Sequence, residues 1–286
     1  MTIRRKIQSQ TMFTEAEKGV ASYILERPQD VLDMSIRDLA QTTFTSAPTV
    51  LRVCRKLDCD GFNELKKALL IDLENEKHFP TEVDASIPFQ KSETPNRIIG
   101  LLSSLYKESI ESTAALLKVP EVSKIVDDIF GANRLFLYAL GDSQITCRLF
   151  ANKLLKLNIH PILAAENGQE MEETYNLRND DYALFVTYKG IYHRFVSCAA
   201  ILKRRKVKSG LITCNAESPL IPLCTNTILI PNTEQVRKIA TFHSQISMGF
   251  VLNVLYSLIY ERDYEQHERH KTVLDTVSYY THEEQS

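Results

Sequence analysis

Residues 34–62 read MSIRDLAQTTFTSAPTVLRVCRKLDCDGF, and the rest of the chain is parsed outward from them. The stretch divides into two short helices joined by a tight connection, with a third helix beginning at its end. Ser35 opens the first helix, where its hydroxyl can accept from free backbone N–H groups, and Asp38 follows at capping-box spacing. Ile36, Leu39 and Ala40 then fall on one side. Ser46 opens the second helix, and Pro48 stands in its first turn, where a missing N–H does little harm. Val50, Val53, Cys54 and Leu57 follow the i, i+3, i+4, i+7 spacing of a buried stripe. Thr49, Arg52 and Lys56 are expected on the opposite side with Arg55 alongside, and no acidic residue occurs from Ser46 to Leu57.

A helix with one apolar face and one face of small polar and arginine side chains suits the DNA major groove. Arginine can grip guanine bidentately or hold a phosphate, and serine or threonine at the helix start can reach base edges or backbone. A solvated amphipathic helix carries much the same pattern. The surrounding chain therefore has to supply the context.

The 286 residues leave room for one large or two ordinary domains. A hydrophobic content of 44% and a charged content of 24% are those of a soluble globular protein. With a formal net charge of -2 there is no global basic field, so any contact with nucleic acid has to be local. No apolar run approaches the roughly 20 residues needed to span a membrane, and the basic start is not followed by the apolar core of a secretion signal. The six cysteines show no C-x-x-C spacing and are expected to be reduced core residues of a cytoplasmic protein. The seven histidines are scattered, so no metal site and no cofactor are expected.

Upstream, Thr14 and Glu17 make a capping box for a helix over residues 13–27, with Val20, Tyr23 and Ile24 as its apolar face. Downstream of Gly61, Phe62, Leu65, Leu69 and Leu73 form the stripe of another helix, with Lys66 and Lys67 expected outward. Residues 1–77 thus read as a small all-α bundle around a helix-turn-helix pair, which can fold alone. Residues 78–95 hold three prolines and no sustained periodicity, as in an interdomain linker. Residues 96–286 read as a second domain, opening with helices over 97–117 and 121–130. Apolar runs at 134–140, 159–163, 182–187, 211–214 and 227–231 then alternate with helical patterns, which predicts a parallel sheet covered on both faces. A long apolar helix is expected over 238–260. In the charged tail, Val273, Leu274, Val277 and Tyr280 are expected to form a last small apolar contact. The fold class is α/β, an all-α bundle followed by an α/β/α parallel-sheet domain.

Ligands of such sheets bind where strand ends meet helix starts. Gly141-Asp142-Ser143 after the first strand and Thr187-Tyr188-Lys189-Gly190 after the third are equipped for this. Glycine permits close backbone approach, hydroxyls donate to phosphate oxygens, and helix N-termini favour anions.

Together these residues resemble the RpiR family of bacterial transcription regulators, which join an N-terminal helix-turn-helix domain to a C-terminal sugar-isomerase (SIS) domain that senses phosphosugars. The resemblance spans nearly the whole chain. It rests on Glu17, residues 35–40, Ser46, Thr49-Val50, Arg52, residues 55–57, Gly61-Phe62 and Leu65-Lys66, and on Gly141-x-Ser143 and the Thr187 to Gly190 turn. Departures are Phe44-Thr45 where the family has Gly-Val, Asp58 where it has glycine, and Lys189 and Tyr192 where its second loop has serine and threonine. The resemblance implies a double-stranded, palindromic operator contacted by Ser46, Thr49, Arg52, Arg55, Lys56, Lys66 and Lys67. It also implies a phosphosugar effector at Gly141, Ser143, Thr187, Lys189 and Gly190, and a homodimer or homotetramer.

Two other readings stay open. In one, Lys189 and Tyr192 fill the pocket and the SIS domain only oligomerises. In the other, the chain is a phosphosugar isomerase whose base is Glu166, Glu170, Glu234, His193 or His243, although the helix-turn-helix domain then has no role. No catalytic residue is assigned.

Overall fold

The computed structural model describes residues 3, 6–7, 13–78 and 82–283. The chain divides into two units, Met1–Glu82 with Lys91–Ser104 and Val83–Gln90 with Leu105–Ser286.

In the first unit, α1 (Glu15–Glu26), α2 (Pro28–Asp33), α3 (Ile36–Thr42), α4 (Ala47–Lys56) and α5 (Phe62–His78) enclose one core. Both expected capping boxes are present. Thr14 and Glu17 exchange backbone and side-chain bonds at the start of α1, and Ser35 and Asp38 do so at the start of α3. The stripe Val50, Val53, Cys54 and Leu57 is fully buried and meets Val20, Ile24, Leu39 and Leu65. The turns on either side of α4 pass through left-handed backbone at Phe44 (φ 53°) and Asp58 (φ 58°).

Helix α6 (Pro95–Leu116) follows, then α7 (Val119–Phe130) and the sheet domain: β1 (Leu135–Tyr138), α8 (Asp142–Leu155), β2 (Ile162–Leu163), α9 (Glu170–Asn176), β3 (Tyr182–Val186), α10 (His193–Arg204), β4 (Lys208–Thr213), β5 (Asn226–Leu229), α11 (His243–Arg262) and α12 (Tyr264–Glu283). The five strands are parallel in the order β2-β1-β3-β4-β5. Phe136 on β1 stands between Ile162 and Ala183. Alternation splits the strands between two cores. Leu135, Leu137, Tyr182, Leu184 and Val186 pack toward one face, with residues of α7, α8 and α11. Phe136, Tyr138, Ala183 and Phe185 pack toward the other, with residues of α10. The chain reverses direction across the sheet between β1 and β3, which makes their C-terminal ends the switch point.

Four local expectations are corrected. β2 is only two residues long, because Pro161 has no N–H for the ladder and pairing starts at Ile162. The long helix α11 starts at His243 rather than at 238, because the buried Glu234 carboxylate accepts from the Ser244 N–H and sets the first turn there. Within the expected linker, Ser86 is buried and bonded to the backbone of Gln235 and Ile239. The tail is helical, and Val273 and Leu274 are exposed rather than in contact, while Val277 and Tyr280 lie outside the residues whose side chains are described. Helix α9, seven residues of mostly polar sequence, carries no apolar period that announces it.

Candidate functional sites

Glu17 sets the chemistry of α4. Its side chain is 2% exposed and gathers three donors: the Thr14 N–H at 2.8 Å, Lys56 Nζ at 2.7 Å and Arg52 Nε at 3.3 Å. The bond from Lys56 and that from the Thr14 backbone hold the carboxyl at a pKa of about 2, below the ordinary 4.5, against burial, which pushes it up. Arg52 also donates from Nη2 to Thr49 Oγ1 at 3.0 Å, and Thr49 Oγ1 lies 3.0 Å from Ser46 Oγ. Ser46 therefore stands at the N-cap without capping the backbone.

The outward side of α4 differs from the expected one. Thr49 is buried at 6% exposure, because α4 packs against α1 as well as α3 and two neighbours cover more than one stripe. Pro48, Arg52 and Arg55 are exposed, and Lys56 is half-buried against Glu17. Arg55 makes no ion pair among the described residues. On α5, Lys67 is exposed as expected, but Lys66 turns back to donate to the Met34 carbonyl at 3.2 Å.

The second site is a cavity of about 130 Å³ at the C-terminal ends of β1 and β3, among the first turns of α8 and α11. Asp142, Ser143 and Thr146 line it from α8, Ser244 and Met248 from α11, and Tyr188 from the loop after β3. Gly141 precedes α8 with φ 57°, ψ -133°, a conformation open to glycine. The Ser143 hydroxyl donates to Met248 Sδ at 3.4 Å, and the Asp142 carboxylate accepts from Thr241 Oγ1 at 2.6 Å.

Of the five effector residues expected from sequence, Ser143 alone lines this cavity, with Gly141 next to it. Thr187 is held in the sheet through its N–H to Ile212 O at 3.0 Å. Lys189 Nζ is occupied by Asn232 Oδ1 at 2.8 Å. Gly190, at φ 62°, packs so tightly on Ser218 that a Cβ would collide with its hydroxyl. Tyr192 does not reach the cavity either; its ring packs edge-on against Phe195 and its hydroxyl donates to Glu170 at 3.4 Å.

Tyr188 is the residue that sequence reasoning missed. Its hydroxyl accepts the N–H groups of Thr233 (3.1 Å) and Glu234 (2.9 Å), and Lys189 and Lys238 stand 5.0 and 5.4 Å from its ring centroid. Burial pushes its phenol up to about 12. The signal was its parity: Tyr188 continues the alternation of Leu184 and Val186, on the face that α8 and α11 cover.

None of the five candidate bases lines the cavity. Glu166 pairs with Arg148, and Glu170 with Arg194 at 2.8 Å. Glu234 accepts from the Ser244 N–H and hydroxyl and from Lys238. His193 is exposed beside Tyr192. His243 is fully buried with its Nε2 3.2 Å from Glu108, and burial lowers its pKa against the opposing charges of Glu108 and Glu234. Among the described residues no helix is long and apolar enough to cross a membrane.

Residues 1–76 match the family model described as a helix-turn-helix domain of the rpiR family, and residues 128–258 match that of the SIS domain. The chain is 24% identical to an HTH-type transcriptional regulator of Caldanaerobacter subterraneus subsp. tengcongensis over 88% of both chains. It is likewise 24% identical to one of Haemophilus influenzae over 91% of both. Among solved structures, the Vibrio vulnificus NanR protein complexed with ManNAc-6P shares the fold at a TM-score of 0.59 and 22% identity, over 96% of this chain and 98% of that one. The sugar isomerase domain of an RpiR transcription factor from Sphaerobacter thermophilus does so at 0.53 and 19%, over 61% of this chain and 97% of that one.

Proposed function

This chain belongs to the rpiR family of helix-turn-helix transcriptional regulators that carry an SIS domain, and from that premise we propose that residues 1–77 bind a palindromic operator while residues 96–286 sense a sugar phosphate. The observation that carries the first half is the Glu17-organised surface of α4. A buried carboxylate fixes Arg52 and Lys56 in place, which lowers the rotamer entropy lost when they meet DNA. Arg52 is the base reader of this surface, and Arg55 and Lys67 hold phosphates. Ser46 and Thr49 buttress Arg52 from behind. Two copies of α4, brought by SIS domains that pair as a homodimer or within a homotetramer, enter successive major grooves.

For the sensing half, the support is the cavity at the switch point, opening on Ser143 and the N-terminus of α8, where backbone N–H groups and the helix dipole favour an anion. NanR of the same fold is complexed with ManNAc-6P, and a sugar phosphate of that kind is the effector class. A second reading has its own observation: Tyr188 and the Asp142 carboxylate both line the cavity, which fits an SIS domain that pairs subunits without sensing. An isomerase is disfavoured because none of Glu166, Glu170, Glu234, His193 and His243 lines the cavity.

Thermal unfolding against a panel of sugar phosphates, ManNAc-6P included, separates the two. A hundredfold excess over the dissociation constant stabilises the binding unit by about 2.7 kcal/mol, a gain that Ser143→Ala should remove. No shift across the panel establishes the silent pocket.

A further inference from the structure

Phe44 is the most exposed large apolar side chain of the described residues, at 98%, and it sits in the turn between α3 and α4. Its φ of 53° lies in the left-handed region, where a residue with a Cβ is strained and a bulky aromatic is rare. The turn around it is tightly fixed. The Phe44 N–H donates to Gln41 O at 3.1 Å and the Thr45 N–H to Ala40 O at 2.8 Å. The Thr43 hydroxyl donates to Leu39 O at 2.7 Å and lies 3.0 Å from that of Thr45. The chain thus holds a wholly solvated ring on a rigid, strained support. Among the described residues no ring or cation contact offsets this.

The partner is identified by what surrounds the ring. Phe44 stands two residues before the N-cap of α4, and the N-terminal end of a recognition helix is the end that meets base edges. The exposed side of α4 behind it carries Arg52 and Arg55, and residues 46–57 include no acid. A polyanionic surface with apolar spots fits this pairing, and in the major groove the apolar spots are thymine C5-methyl groups. Resting on the operator-binding reading above, we propose that Phe44 is a specificity-determining DNA contact that seats its ring on a thymine methyl in each half-site. It is distinct from the arginines because it adds no charge.

The experiment selects duplexes from a randomised pool with the full-length protein and with Phe44→Gly and Phe44→Asn, two residues suited to left-handed backbone. The wild-type consensus should contain a thymine that both variants lose, and both should bind that consensus about four- to tenfold more weakly. Deoxyuridine at this thymine should weaken the wild type and leave the variants unaffected. The dependence of affinity on salt should not change, since no phosphate contact is lost. The thermal stability of Phe44→Gly should hold or rise as the strain is relieved. An unchanged consensus and affinity in both variants would overturn the proposal and leave a surface for a protein partner instead. So would a loss that deoxyuridine does not reproduce. Failure of the wild type to enrich any sequence would overturn the operator reading itself, and this contact with it.

Discussion

Lys56 Nζ donates to Glu17 Oε2 at 2.7 Å, joining two helices 39 residues apart in sequence. The same carboxylate takes Arg52 at 3.3 Å, so one buried acid in α1 orders two of the basic side chains of α4. Glu17 is therefore both a structural anchor and the organiser of the basic side chains on α4. Folding depresses its pKa to about 2, from an ordinary 4.5. The stabilisation is then present in full above the unfolded value and is lost as pH falls from about 4.5 toward 2. Acid titration of the first unit, followed by circular dichroism, should show this loss. Glu17→Gln should flatten the profile in that window and cost on the order of 1 kcal/mol at neutral pH, since Arg52 and Lys56 keep much of their hydration. An unaltered acid profile in the variant would remove Glu17 from this role.

Arg52 and Arg55 differ in how they are held, and binding should distinguish them. Arg52 is bonded to Thr49 and Glu17, while Arg55 is exposed without an ion pair among the described residues. Arg52→Ala should cost about 1–3 kcal/mol on the selected operator and relax selectivity at one base pair. Arg55→Ala should weaken all sequences alike and lower the salt slope by about 0.9. Fluorescence anisotropy at several salt concentrations measures both. The opposite pattern would exchange the two roles.

The sequence shows most clearly what local chemistry decides. Capping at Thr14 and Ser35, the stripe of α4, and the doubly buried strands all follow from spacing within one element. What it hides is which element lies alongside. The i, i+3, i+7 set Thr49, Arg52 and Lys56 shares a face, but only the packing of α1 turns that face inward at Thr49 and pairs the others with Glu17. The second loop shows the same limit. Its residue types draw attention to Thr187 and Lys189, whereas strand parity places Tyr188 in the cavity.

Tyr188 ties the loop after β5 to the cavity through two accepted N–H groups. Tyr188→Phe leaves the Thr233 and Glu234 amides without that acceptor, at a cost of about 1–3 kcal/mol to the second unit. Urea unfolding should show the lower midpoint with an unchanged slope. A midpoint equal to wild type would mean that water replaces the hydroxyl and the loop is held by other contacts.

Ser86 extends this chain of contacts into the stretch that leads to α6. Its hydroxyl accepts the Gln235 N–H at 2.8 Å and its carbonyl accepts the Ile239 N–H at 2.9 Å. Gln235 and Ile239 belong to the segment that also carries Glu234 and Thr241, and Thr241 bonds Asp142 in the cavity wall. A sugar phosphate that displaces Thr241 or Tyr188 would thus disturb the residues on which Ser86 is fastened. An effector shifts an equilibrium only through contacts that differ between states, and we propose this hydrogen bond as one such contact. Ser86→Ala should therefore leave operator affinity without effector within a few-fold of wild type, yet reduce the factor by which the effector changes it. By reciprocity the operator should then change effector affinity by the same reduced factor. Anisotropy titrations with and without the sugar phosphate that stabilises the protein would measure it. An undiminished factor in Ser86→Ala would place the coupling elsewhere in the fold.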